Sequence, residues 1–251
     1  MLKTNLQSAM EYRISFIMQV VAMIIGDASF TFIWIVFFKR FPVVNGWQSQ
    51  DMMLLMALGS LSIGVYAILA EGTLEIARKV ASGELDHHLS FPQNTLWNVA
   101  MSKTFVAGFG DLIFGVGLYL FYADSGFGNS MLFTVVTLVV ALIFFNFVVI
   151  TQSIAFYVSN FEDAAEQLWV ALFFSTSIPQ GSFHGLLKLM TMSIIPGFFI
   201  AELPVRLLRV FNLWHFLALL GFAVATLLLA IFVFKQGLKR YESGSLINVK
   251  M

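Results

Sequence analysis

Apolar residues fall along this chain in long blocks, not in the two-residue alternation of strands or the one-sided stripe of a water-soluble helix. A helix needs about 20 mostly apolar residues, at ~1.5 Å each, to cross ~30 Å of hydrocarbon. Blocks at about 14–37, 52–70, 131–158 and 213–234 clearly meet that length. A fifth block, about 104–122, is punctuated by Gly108, Gly110, Asp111, Gly115 and Gly117 yet stays apolar enough to cross. The interval after it is broken: Leu168 to Ile178 stops at Pro179, and a second apolar piece, Leu189 to Leu203, is interrupted by Pro196-Gly197 and closed by Pro204. The pattern predicts a span at about 164–182, followed by a segment at about 186–203 that enters from outside and returns. Non-helical backbone at membrane depth survives only where protein covers it or it lines water, so this broken segment is expected to face away from lipid.

Charge placement sets the direction. Lys3 and Arg13 precede the first span, and Lys235, Lys239, Arg240 and Lys250 follow the last one, so both termini are expected in the cytoplasm and the number of crossings is expected to be even. With six spans, Arg78, Lys79 and Lys103 join those residues inside, while Lys39, Arg40, Lys188, Arg206 and Arg209 lie outside. The first block is too long for a signal-peptide core and has no convincing small-residue cleavage site after it, so it is expected to be a retained span.

Between the blocks, Leu2, Leu6, Ala9, Met10 and Ile14 recur at helical spacing, predicting either an amphipathic helix in the cytoplasmic interface or a plain polar lead-in. The long polar interval 71–103 carries a helical repeat over 72–82, where Glu75 can pair with Arg78 or Lys79. Gly83 then ends the helix ahead of Glu84, Leu85, Asp86, His87, His88, Leu89, Ser90, Phe91 and Pro92. A loop this large and amphipathic is more than a connector and could present a short helix to a soluble partner.

Composition agrees with the block pattern. Over 251 residues, 59% are hydrophobic and 11% charged, against about 45–50% and about 25% in soluble chains. Fourteen basic and fourteen acidic residues leave no net charge, which speaks against nucleic-acid binding. The absence of cysteine excludes disulfides, thiolate metal sites and cysteine nucleophiles. Asp27 and Asp111 are the charges well inside clear spans. Each must face a partner or a water cavity, whether on a substrate or proton path or in a structural pair. Asp27 is the deeper and the better pathway candidate. Asp111, about two turns from the cytoplasmic end and near Lys103, is expected to be structural. Glu84, His87 and His88 have a loose zinc-like spacing, but adjacent histidines diverge by about 100° on a helix and a solvated loop face is the expectation. The sequence has neither an H-E-x-x-H motif nor a G-x-x-x-x-G-K-[ST] phosphate loop, so a pump would need ATP bound by another chain.

The run Ser82 to Pro92, then Lys103 and Gly110-Asp111-Leu112, resembles the G-x-L-D-x-x-L-x-x-P…GD-L pattern of ABC-2-type permeases. Ile195-Pro196 through Ala201, Pro204 and Arg206, and the ending Phe234 to Ser243, are similar to a bacterial exporter branch of that family. The resemblance implies an all-α polytopic membrane protein, one permease domain over 1–251. It implies an interfacial N-terminal helix, a cytoplasmic coupling helix and an extracellular re-entrant segment before the last span. On that footing Glu84, Leu85, Asp86, Leu89 and Pro92 would couple to separate ATPase subunits, with Leu85 and Leu89 as knobs. Pro179, Pro196 and Pro204 would belong to an outer gate. ATP and magnesium would sit on the partner ATPase, with no cofactor on this chain. A second permease half, the same chain or a relative, would complete the transporter in the inner membrane. The alternative is an ion-gradient-driven carrier or channel using Asp27 and Asp111.

Overall fold

The computed structural model describes residues 2–122, 126–175, 178 and 195–241. Helix α1 (Leu2–Glu11) leads into α2 (Arg13–Arg40), a hairpin of β1 (Val43–Val44) and β2 (Trp47–Gln48), and α3 (Ser49–Ala70). A 3₁₀ turn (Glu71–Glu75) and short helices α4 (Ile76–Ser82), α5 (Leu85–Leu89) and α6 (Thr95–Ala100) follow. Then come α7 (Gly108–Tyr122), α8 (Phe127–Gln152) with a 3₁₀ extension over Ser153–Phe156, and α9 (Glu162–Ser175). A π-helical turn (Phe198–Glu202), α10 (Leu203–Arg209) and α11 (Leu213–Leu238) complete the described chain. Among the described residues, four helices are long and apolar enough to cross a bilayer: α2, α3 with its extension to Ser82, α8 with its 3₁₀ extension, and α11.

Helix α3 is the axis of the bundle, buried along most of its length, with α7 and α8 against it. Helix α2 packs on α7 and on part of α3, and α11 packs on α8. The outer helices are little covered: α2 buries only Val20, Thr31 and Phe38, so most of its surface is apolar and exposed. In a bilayer lipid is as apolar as leucine, so helices associate through close backbone approach and polar contacts. Both occur. A Cβ at Gly115 of α7 would lie 2.5 Å from Leu61 Cγ and 3.0 Å from the Ala57 carbonyl of α3. Asn146 on α8 donates to the Ala223 carbonyl and Thr226 Oγ1 of α11, each at 2.9 Å.

The two ends of the bundle differ. At one end Asn5 of α1 donates to the Met101 carbonyl, and α4 to α6 form a cap over α3 and α8. Residues 237–241 return to this end, with Arg240 over the Tyr157 ring and Tyr241 edge-on to Phe156. At the other end, Asn45 and Gly46 both have positive φ, which makes a type I′ turn that matches the twist of the hairpin. Arg209 ion-pairs there with Asp51 and lies 5.7 Å from the Trp47 ring.

Several expected boundaries move. The block at about 104–122 becomes helical only at Gly108, because Phe105 N–H donates to the Ala67 carbonyl and the preceding chain folds alongside α3 instead of winding. Lys103 therefore does not share a helix with Asp111. Pro204 does not close a segment; it sits in the first turn of α10, where a missing N–H costs nothing, and the helix runs on to Arg209. The expected span at about 164–182 is described from Glu162 to Ser175, and Pro179 with the first half of the expected 186–203 segment lies outside the described residues.

Candidate functional site

Helices α2, α3 and α7 bring together a polar site in the middle of the bundle. Asp27 lies halfway along the 28-residue α2, and Ser60 halfway along the 22-residue α3. Asp111 is in the first turn of α7, where the helix dipole favours a carboxylate, while the N–H groups of Gly108, Phe109 and Gly110 donate to the Phe105, Val106 and Ala107 carbonyls. Because α7 starts late and Gly64 approaches the Gly108 carbonyl and Asp111 Cβ, this first turn lies deep in the bundle beside α3. Ser60 Oγ donates to Asp27 Oδ2 at 2.8 Å, and the Asp27 and Asp111 carboxyls interact directly. Asp111 is 2% exposed and its Oδ2 has no hydrogen-bond partner. A cavity of about 260 Å³ joins both carboxyls to Ser60 and Thr31, with Phe173 and Phe174 of α9 on another wall. The two aspartates singled out separately in the sequence thus form one site, and Asp111 lies there in a different element from Lys103.

The cap at the α1 end is a dense charge network. Glu75 receives Lys79 at 3.0 Å, Lys103 at 2.9 Å and Arg78 at 3.5 Å. Arg78 also pairs with Glu84 at 2.9 Å across the Gly83 bend, whose φ of 77° suits glycine. Lys79 is 6% exposed and donates to Ser102 at 3.1 Å. The cap is tied to the bundle by Ala77 N–H donating to Gln152 Oε1 at 3.0 Å. The expected pairing of Glu75 with Arg78 or Lys79 becomes both, with Lys103 as a third partner that only the tertiary fold supplies.

Helix α5 is oriented differently from expectation. Leu85 is fully buried and so anchors the helix inward, while Leu89 is 43% and Phe91 39% exposed. The outward apolar pair is therefore Leu89 and Phe91, not Leu85 and Leu89. Asp86 faces Tyr241, whose hydroxyl is pushed up to about 12, first by burial and then by the Asp86 carboxylate. Glu84 is held by Arg78 and His88 Nδ1 by Asn98 Oδ1 at 2.6 Å, so these side chains act in packing contacts.

Burial pushes the His88 imidazole below its ordinary value; the Asn98 bond opposes this, and the Lys79 charge adds to the lowering. Folded His88 therefore binds a proton less readily than unfolded His88. Its contribution to stability is complete above the ordinary value of about 6.5 and is lost as pH falls below it. Glu75 and His87 also face this group. Between pH 7.5 and 5.5 the thermal unfolding midpoint of the nanodisc-embedded protein should fall further for the wild type than for His88→Gln. Equal falls in both would remove His88 from the cap's acid response.

The hairpin is a feature the block pattern passed over, although Val43-Val44-Asn45-Gly46-Trp47-Gln48 carries the Asn-Gly signal for a tight turn. The Asp51–Arg209 pair has no such local signal, since its residues are 158 positions apart.

No curated protein and no solved structure matches this chain. Residues 14–245 match the family model described as ABC-2 family transporter protein, a range that runs from the second residue of α2 past the end of α11. With that span of agreement and its apolar bundle, the chain is a multi-pass membrane protein that belongs to the ABC-2 transporter family.

Proposed function

We propose that this chain is the permease half of an ATP-binding-cassette exporter in a bacterial inner membrane. ATP and magnesium bind separate ATPase subunits, and a second permease half, identical or related, completes the pathway. The single observation that carries this is the family match over 14–245, joined to a sequence without a phosphate loop of its own. The cap at the α1 end supports a docking role, because it is braced by buried Lys79 and by Gln152 while Leu89 and Phe91 remain outward. On this reading the α1 end and both termini are cytoplasmic, and six crossings are made. Glu84, Leu85, Asp86, Leu89 and Pro92 form the coupling element, with Leu85 as its inward anchor. The segment around Pro179, Pro196 and Pro204 is the outer gate.

ATP-driven closure of the ATPase pair would move the cap, and the two bundles would exchange an inward for an outward opening. Such a switch requires contacts that differ between the states. The protein purified from its native membrane should bring down an ATPase. Leu89→Asp with Phe91→Asp should leave the protein folded while abolishing transport-linked ATPase stimulation. A chain that purifies without an ATPase, or full stimulation in the double variant, would overturn the docking role. The meeting of Asp27 and Asp111 also suits the runner-up, an ion-gradient-driven carrier, and a chain that transports without any ATPase would favour it.

A further inference from the structure

The cavity shared by Asp27, Ser60 and Asp111 is unusual in what it holds and what it lacks. Among the described residues, its lining contains two carboxyls and no lysine, arginine or histidine. Ser60 satisfies one oxygen of Asp27, whereas Asp111 Oδ2 is buried without a donor. An acceptor left bare in so apolar a place calls for a positively charged or hydrogen-bond-donating guest. The remaining walls indicate what kind. Phe30, Phe173 and Phe174 present aromatic surface, and Met23 and Met56 present polarizable thioethers. Aromatic faces attract organic cations, and thioethers adapt to irregular apolar groups. A calcium ion stripped of its water would instead take six to eight oxygen ligands, more than the side chains of these walls supply.

Access points the same way. Asp27 is only half-buried, and it lies on α2, whose neighbouring Ile25, Phe32 and Ile33 are exposed. Phe174 of α9 is likewise exposed on its outer side. The site therefore adjoins surface that a bilayer would bathe, so a guest with an apolar tail can approach from the membrane.

We propose that this cavity binds the cationic head of a lipophilic amine, an organic ammonium whose apolar remainder lies along α2 and α9. The ammonium lies against the paired Asp27 and Asp111 carboxyls, on the side of the bare Asp111 Oδ2, with the aromatic rings around its alkyl groups. This rests on the permease reading only for the claim that the guest is cargo; binding itself does not require an ATPase.

The test uses the full chain in phosphatidylcholine nanodiscs and radiolabelled dodecyltrimethylammonium below its micelle concentration, with 1-dodecanol as a neutral competitor. Saturable one-to-one binding is expected, with dodecanol failing to displace the cation. Asp111→Asn and Asp27→Asn, which keep shape and remove charge, should each weaken affinity at least about tenfold. Phe174→Ala, on the outer wall, should weaken it about threefold and stands in if an asparagine variant fails to fold. Absence of saturable binding, displacement by dodecanol, or unchanged affinity in the folded variants would overturn the proposal and leave the two carboxyls sharing a proton as a structural pair. Failure to recover an ATPase alongside a positive binding result would overturn the permease reading and leave this site standing.

Discussion

Replacing Gly115 with leucine should destroy the packing of α3 on α7, while the same change two residues away at Gly117 should be tolerated. At Gly115 even a Cβ would be 2.5 Å from Leu61 Cγ and 3.0 Å from the Ala57 carbonyl; at Gly117 nothing lies within 4 Å. Overpacking a core costs about 1–3 kcal/mol where side chains can shift. Here one obstacle is helix backbone, so relief requires α7 to move away from α3 as a unit. That movement would also separate Gly64 from the Gly108 carbonyl and carry Asp111 away from Asp27. The cost should therefore reach or exceed the top of that range. Size-exclusion profiles and thermal unfolding of the two variants, purified in parallel, measure the difference. Similar behaviour of Gly115→Leu and Gly117→Leu would show that the close approach is not what holds these helices together.

Arg209→Ala should be the most damaging single change at the hairpin end. Asp51 is buried, and Arg209 supplies its counter-charge while also donating to the Gly46 carbonyl at 3.4 Å. Removing one partner of a buried ion pair costs about 3–5 kcal/mol because the other charge is left without compensation. The Arg209 side chain is 36% exposed, so solvent screens part of this and about 2–3 kcal/mol is expected. Asp51→Asn keeps an oxygen for the Gln48 N–H and removes the charge. The double variant Asp51→Asn/Arg209→Ala should consequently be more stable than Arg209→Ala alone. Thermal unfolding of the four proteins completes the cycle, and strictly additive effects would show that the two residues do not act as a pair.

Much of the bundle is legible in the sequence because membrane helices declare themselves by length. The blocks behind α2, α3, α8 and α11 are long and apolar; α2, α3 and α11 extend theirs by a few residues, and α8 begins earlier and ends earlier than its block. Glu75 with Arg78 and Lys79, and the bend at Gly83, are local features that spacing alone predicts. What escaped was decided between elements. Hydropathy does not place Asp111 at a helix start, because residues 104–107 fold against Ala67 before α7 begins. Leu85 and Leu89 look equivalent in a five-residue helix, and only its docking on the bundle buries one and exposes the other. The union of Asp27, Ser60 and Asp111 needs three helices at one depth, a condition no single segment records. The Asn45-Gly46 turn, by contrast, was visible in the residues and was overshadowed by the apolar blocks on both sides.

The distance along the chain between Asp51 and Arg209 bears on how the molecule is assembled. Insertion into a membrane proceeds from the first helix onward, so Asp51 is in place long before the residue 158 positions later that neutralises it. During that interval its carboxylate is not bare: the Gln48 N–H already donates to Oδ2 at 2.7 Å, and the start of α3 offers its own unpaired N–H groups. The early half of the fold thus keeps an anion waiting in a locally satisfied state. Arrival of α10 then joins an early part of the chain to a late one, so this ion pair forms only once every described helix except α11 has been made.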